Sequence, residues 1–211
     1  MKILILANGN KVSKSQIRQE LETADGIIAA DGGALIAHEM NVSPQYVIGD
    51  FDSIDEDILR HFEEKGSRIV RYPREKDETD THLAVDTALD LGANEIVIAG
   101  GIGSRFDHSL GNILLLIRIA RRGVRGKIID DLNEIYVSDS TFLISGNPGE
   151  TLSILPFSEN AFIHRTDGLY YPISNRLLPI DYPYGVSNVF TKDLATIEIS
   201  SGWVIIIKAR D

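Results

Sequence analysis

Residues 95–130 read EIVIAGGIGSRFDHSLGNILLLIRIARRGVRGKIID, and this stretch decides the fold. Glu95–Gly100 is a β-type apolar run that stops at a glycine pair. A helical stretch follows over His108–Arg122, and Lys127–Asp130 begins a second β-type run. Strand, glycine-rich loop, helix and strand in succession are the repeating unit of a parallel α/β sheet. Upstream, Lys2–Ala7, Gly26–Asp31, Tyr46–Asp50 and Arg68–Tyr72 are runs of the same kind. They are rich in Ile and Val and nearly continuous in hydrophobicity, as strands covered on both faces should be. Helical stretches at Ser13–Glu22, Ala34–Met40, Asp55–Lys65 and Thr79–Leu91 separate them. Ser53 with Glu56 predicts a capping box at the third of these.

The pattern changes after Asn133. Glu134–Ser138, Thr141–Ser145, Thr151–Pro156, Ala161–Arg165, Leu169–Ile173, Ser187–Phe190, Ala195–Ile199 and Trp203–Lys208 are short β-type runs. Gly, Pro, Asn and Asp separate them, which predicts a small antiparallel sandwich or barrel. The expected organisation is an open, mostly parallel α/β domain over 1–133 and a β-domain over 134–211.

Composition excludes several classes. Among 211 residues, 43% are hydrophobic and 25% charged, close to ordinary globular usage and unlike disorder. No stretch approaches the ~20 apolar residues of a membrane helix. The first residues, MKILILANGN, are too briefly apolar for a secretory leader. The absence of cysteine removes disulfides and thiolate metal sites and allows a reducing compartment; a cytoplasmic setting is expected. A formal charge of −10 argues against nucleic acid as a partner. It is compatible with a polyphosphate bridged by cations.

The chemistry is legible in where the acidic and glycine-rich clusters fall. Asp31-Gly32-Gly33, Gly49-Asp50-Phe51-Asp52-Ser53, Lys76-Asp77-Glu78-Thr79-Asp80 and Gly100–His108 each follow an expected parallel strand. In open α/β sheets ligands bind beyond the carboxyl ends of the strands, so these loops should converge. The aspartates so gathered would repel one another without a hard cation such as Mg²⁺. An aspartate in such a loop is most often a cap or turn former, and that reading is favoured for Asp31 or Asp77 alone. Asp50 and Asp52 differ, since i and i+2 of an extended segment project to one side, with Gly49 letting the backbone approach a ligand. Thr79 competes as a helix cap. Gly101 and its neighbours could present N–H groups to phosphate, and Arg105 could pair with one. The loop matches neither a P-loop nor a dinucleotide fingerprint. His38, His61, His108 and His164 read as structural hydrogen-bonders. No activated serine or zinc-ligand spacing is present.

Taken in order, these segments resemble the thiamine pyrophosphokinases. The matching pieces are Ala30–Gly33, Gly49–Ile54, Lys76–Asp80 with Leu83-Ala84, Gly100-Gly101 through Arg105–His108, and Leu110–Ile113. In the β-domain they are Ile154–Ser158, Gly168–Pro172 and Ser187-Asn188. His82 and the Pro-containing segment 175–184 depart from the pattern. The resemblance implies an α/β domain joined to a β-sandwich, a homodimer with active sites between subunits, and transfer of pyrophosphate from ATP to thiamine. It implies Asp50, Asp52 and Asp80 around Mg²⁺. Asp31, Asp77, Thr79 and the loop carrying Gly101, Arg105 and Asp107 would hold ATP. Thiamine would meet Ser187, Asn188 and an aromatic of the partner subunit's β-domain, with Tyr171 the first choice and Trp203 the second. Asp80 and Asp107 are both candidates to orient or deprotonate the acceptor hydroxyl. The competing readings are a pyrophosphokinase for another heterocyclic alcohol such as a pterin, and a non-catalytic nucleotide- or thiamine-binding regulator.

Overall fold

The apolar run at the N-terminus, β1 (Lys2–Leu6), is paired on both sides. It lies parallel to β2 (Gly26–Ala30) on one edge and to β5 (Glu95–Ala99) on the other. The structure, a computed structural model, describes residues 1–10 and 12–210. Its contacts divide the chain into two units, 1–131 and 132–211.

In the first unit, β3 (Tyr46–Gly49) and β4 (Arg68–Arg71) extend the sheet beyond β2, and β6 (Arg125–Ile129) extends it beyond β5. The order is β4-β3-β2-β1-β5-β6, all parallel. The chain therefore travels outward from β1 to β4, then returns to the other side of β1. That reversal puts a topological switch point between β1 and β5, where the loops diverge and leave a crevice. The helices are α1 (Lys14–Leu21), α2 (Gly33–Glu39), α3 (Glu56–Glu64), α4 (Asp80–Asp90) and α5 (Phe106–Arg121). Alternate strand residues serve opposite faces. Leu4, Leu6, Ala29 and Val47 pack with Ile17 of α1, Ala34 and Ala37 of α2, and Leu59 and Phe62 of α3.

One local expectation is corrected here and one is met. Asp55, rather than Ser53, caps α3, its carboxylate accepting from Asp57 N–H at 2.9 Å. The helix thus begins two residues later than a Ser53 cap would set it. Thr79 does cap α4, accepting from His82 N–H at 3.2 Å.

A small charged cluster ties α1 to two strands. Glu20 lies 2.7 Å from Lys2 and 2.6 Å from Lys127, with its side chain only 13% exposed. Burial opposes its charge, but the hydrogen bonds and attraction of Lys127 and Lys2 outweigh that and hold its carboxyl below the ordinary range. A depressed carboxyl contributes stability that is in place above its unfolded-state value and is lost as pH falls through the folded-state value. Glu20→Gln leaves two ammonium groups facing each other and should cost about 3 kcal/mol near neutral pH. The gap from the wild type should close well below pH 4.5. Urea unfolding of both proteins across that range measures it.

The second unit contains β7 (Asn133–Ser138), β8 (Phe142–Ser145), β9 (Thr151–Pro156), β10 (Asn160–Asp167), β11 (Ser174–Pro179), β12 (Gly185–Val189), β13 (Leu194–Ser201) and β14 (Val204–Ala209). Antiparallel pairing gives the orders β12-β9-β14-β7 and β11-β10-β13-β8. Leu152, Ile154, Val204 and Ile206 of the first meet Ala161, Ile163, Ala195, Ile197 and Ile199 of the second in one core. Alternate burial along β9 and β13 is the signature of a sandwich, each strand keeping one face wet. The chain is thus an open parallel α/β sheet unit followed by an antiparallel β-sandwich.

The expected strand at Leu169–Ile173 does not form. Only Leu169 bridges to Phe190, and Pro172 has no N–H to give a ladder. The paired strand is β11, beside β10, in a segment whose burial gave no alternation because only Leu178 is fully inside.

Candidate active site

The loops that follow β1, β2, β3 and β5, with the segment after β4, line one cleft of about 510 Å³. That is within the range of small-ligand sites. Its acids are Asp31, Asp50, Glu78 and Asp80, and its cations are Arg74, Lys76 and Arg105. Asn8, Gly9, Asn10, Thr79, Gly101, His108 and Asn112 complete much of the wall.

Asp31 occupies the turn after β2 with φ of +44°. Its Oδ1 is buried and has no hydrogen-bond partner. Burial, with the nearby charges of Asp80 and Asp50, pushes its carboxyl above the ordinary range, against an opposing hydrogen bond from Gly32 N–H and the charge of Lys76. Asp80 opens α4, and its buried Oδ1 also lacks a hydrogen bond. Lys76 Nζ stands 3.0 Å from that oxygen as a close ion pair outside hydrogen-bond geometry. The Lys76 ammonium donates instead to the Pro73 carbonyl at 3.2 Å. Two carboxylate oxygens without donors, in a cleft that also holds Asp50, leave acceptor capacity unspent.

Asp50 and Asp52 are arranged otherwise than an extended segment would place them. Phe51 between them has φ of +60° and sends its ring into the core, where it is 5% exposed. Asp50 lines the cleft and accepts from Asp52 N–H at 3.2 Å. The Asp52 side chain is exposed and pairs with Arg74 at 3.4 Å. Gly49 serves a neighbouring backbone rather than a ligand, since a Cβ there would lie 3.1 Å from Asp31 Cα.

Around the glycine loop, Arg105 lines the cleft and holds Asp107 with bonds of 3.3 and 2.6 Å. That hydrogen bond holds the exposed Asp107 carboxyl below the ordinary range. Asp77 and Asp107 lie outside the lining, as does Asp52. His108, expected to be structural, is part of the wall.

Two contributors went unread in the sequence. Asn8-Gly9-Asn10 sits at the switch point, where Gly9 N–H donates to the Gly100 carbonyl at 2.8 Å and Asn10 N–H to that of Ile102. A polar triplet at the end of the first strand carried the same positional signal as the other loops. Arg74 precedes the Lys76–Asp80 cluster and Lys76 opens it, cations beside carboxylates whose spacing carries the stronger signal.

Residues 17–128 match the family described as thiamin pyrophosphokinase, catalytic domain. Residues 140–204 match thiamin pyrophosphokinase, vitamin B1 binding domain. The chain belongs to the thiamine pyrophosphokinase family. The thiamine pyrophosphokinase of Bacillus subtilis is 31% identical over 186 residues, covering 87% of each chain. The crystal structure of the Bacillus subtilis thiamine pyrophosphokinase superposes with a TM-score of 0.88 at 29% identity over all of both chains. That of Geobacillus thermodenitrificans gives 0.86 at 25% identity, covering all of this chain and 98% of the other. The carboxylate cleft falls wholly inside the segment that matches the thiamine pyrophosphokinase catalytic domain, apart from Ala7–Asn10.

In the second unit, Ser187 is exposed with φ of +58° at an irregular step of the β12–β9 pairing. Tyr171 is 61% exposed and packs edge-on to Tyr170 at 4.9 Å. Asn188 is 3% exposed; it accepts from Tyr171 N–H at 2.9 Å and donates to the Tyr171 carbonyl at 2.7 Å. Its amide is thereby engaged with the backbone that carries Tyr171. Trp203 is half-buried, with its N–H bonded to Ser158 Oγ at 2.9 Å.

Proposed function

We propose that the protein transfers the pyrophosphoryl group of ATP to the hydroxyl of thiamine, giving thiamine diphosphate and AMP, with the cleft at the β1/β5 switch point as donor site. The observation that carries this reading is the grouping of Asp31, Asp50 and Asp80 with Arg74, Lys76 and Arg105 in one cleft of a chain of this family.

Mg²⁺ fits the donor set. All the candidate ligands are carboxylate oxygens, two of them buried without a hydrogen bond. Among the described residues no three acidic or histidine side chains converge tightly enough to enclose an ion alone. Mg²⁺ is commonly held by one or two carboxylates, with phosphates and water completing its shell. Asp50 and Asp80 would hold it, with Asp31 beside them. When bound, the ion supplies charge neutralisation at the phosphate oxygens.

Phosphoryl chemistry asks the protein for alignment and for charge placed in advance. Lys76 and Arg105 meet phosphate oxygens, and Asp52 acts through Arg74 by orienting its guanidinium. The acceptor oxygen attacks the β-phosphorus, the bond to the oxygen bridging the α- and β-phosphorus breaks, and AMP leaves carrying that oxygen. Asp80 is the better-placed candidate to orient the hydroxyl, because it lines the cleft and Asp107 lies outside it. Tyr171 and Ser187 are the acceptor contacts in this reading, and Asn188 supports Tyr171. A homodimer and a cytoplasmic setting belong to the same reading. No helix among the described residues is long and apolar enough to cross a membrane.

The test is turnover with purified protein, Mg-ATP and thiamine, following both products by chromatography. AMP and thiamine diphosphate should appear in equal amounts and vanish with chelator. Product from a pterin alcohol and none from thiamine would move the acceptor and keep the donor site. No turnover with either would overturn the enzymatic reading.

A further inference from the structure

Ser109 is one of the few buried polar side chains among the described residues, 4% exposed, in the first turns of α5. Its Oγ accepts from Gly103 N–H at 2.9 Å, and lies 3.1 Å from the carbonyl oxygens of both Gly103 and Arg105. The contact to Arg105, four residues back, is the ordinary one for a helical serine. The bond from Gly103 is different in kind. It reaches six residues back, out of the helix and into the loop that lines the cleft. One turn further along α5, Asn112 donates to the Gly101 carbonyl at 2.7 Å. Residues three apart share one face of a helix, so α5 presents two side chains that grip alternate glycines of the loop. Arg105, the N-cap of α5, makes no side-chain capping bond of its own. The glycines of the loop are therefore anchored to the helix through Ser109 and Asn112, beside the Arg105–Asp107 pair at the helix start.

We infer that Ser109 is a positioning residue for the nucleotide: buried and away from substrate, it fixes the 100–105 loop in the shape that receives the ATP phosphates. This rests on the reading of the cleft as the donor site. A glycine loop left to itself samples many conformations, and holding it ready removes an ordering cost from binding. The hydroxyl is the required group, so threonine should serve in its place and alanine should not.

The experiment uses the full chain as wild type, Ser109→Ala and Ser109→Thr. Binding of a non-hydrolysable ATP analogue with Mg²⁺ is measured by calorimetry, and exchange of the Gly103 amide by NMR. Ser109→Ala should weaken analogue binding by about tenfold, with the KM for thiamine unchanged and the Gly103 amide exchanging faster. Ser109→Thr should restore both the affinity and the amide protection. Analogue affinity within about twofold of wild type in Ser109→Ala overturns the inference, as does a parallel loss in both substrates. Failure of the wild type to bind the analogue would instead remove the donor-site reading, and this inference with it. Should Ser109→Ala not fold, amide protection and affinity in Ser109→Thr decide, since loss of both there contradicts a hydroxyl-dependent grip.

Discussion

Asp80→Asn is expected to lower turnover by roughly 10³-fold while leaving the fold and its stability close to wild type. The substitution keeps shape and removes one charge from a cleft that also contains Asp31 and Asp50. Two effects of that charge favour the folded state, its pairing with Lys76 and its place at the start of α4. One effect opposes it, since Asp80 repels Asp31. Their balance should stay within about 1 kcal/mol. Activity has no such compensation, because the uncharged amide brings no negative charge to Mg²⁺ or to the acceptor hydroxyl. Steady-state kcat and the thermal midpoint, measured on the same preparation, give the two readings. A rate near wild type would remove Asp80 from the chemistry, and a collapsed midpoint would make its role structural.

Gly9→Ala is the second large effect, and it should damage stability and nucleotide binding together. A Cβ at Gly9 would overlap the carbonyl oxygens of Gly100 and Ile102, which are backbone and cannot swing aside. The Gly9 N–H already bonds to Gly100. The loops after β1 and β5 would have to part at the switch point, costing about 1–3 kcal/mol and opening the cleft where the glycine loop sits. Chemical unfolding and analogue binding would report the two losses. Alanine tolerated in both would mean that the close approach of these loops has no bearing on the site.

The layout of the fold could be read because the inner parallel strands β1, β2, β3 and β5 are buried nearly throughout. Runs such as EIVIA at 95–99 then have few alternatives. The sandwich could be read from alternation in β9 and β13, where one face is wet. β11 could not be read this way, because four of its residues are exposed in succession and the pairing with β10 carries it. At the site, the rule that loops gather beyond strand ends was enough to place Asp31, Asp50 and Asp80 in one cleft. It fell short at Asp52, whose direction depends on Phe51 adopting a left-handed backbone to reach the core, a tertiary demand with no local signal. It fell short also at Ser109, whose partner lies outside its own helix. Asn8 and Asn10 obey the same rule, but an Asn-Gly-Asn triplet carries a weaker chemical signal than the carboxylate and glycine clusters of the other loops.

The most direct test of the central claim is a crystal structure of the protein with a non-hydrolysable ATP analogue and Mg²⁺. The account predicts the triphosphate in the switch-point cleft, against the 100–105 loop, with the cation touching at least one of Asp50 and Asp80. A nucleotide bound elsewhere, or bound in the cleft with no cation at either carboxylate, would contradict it.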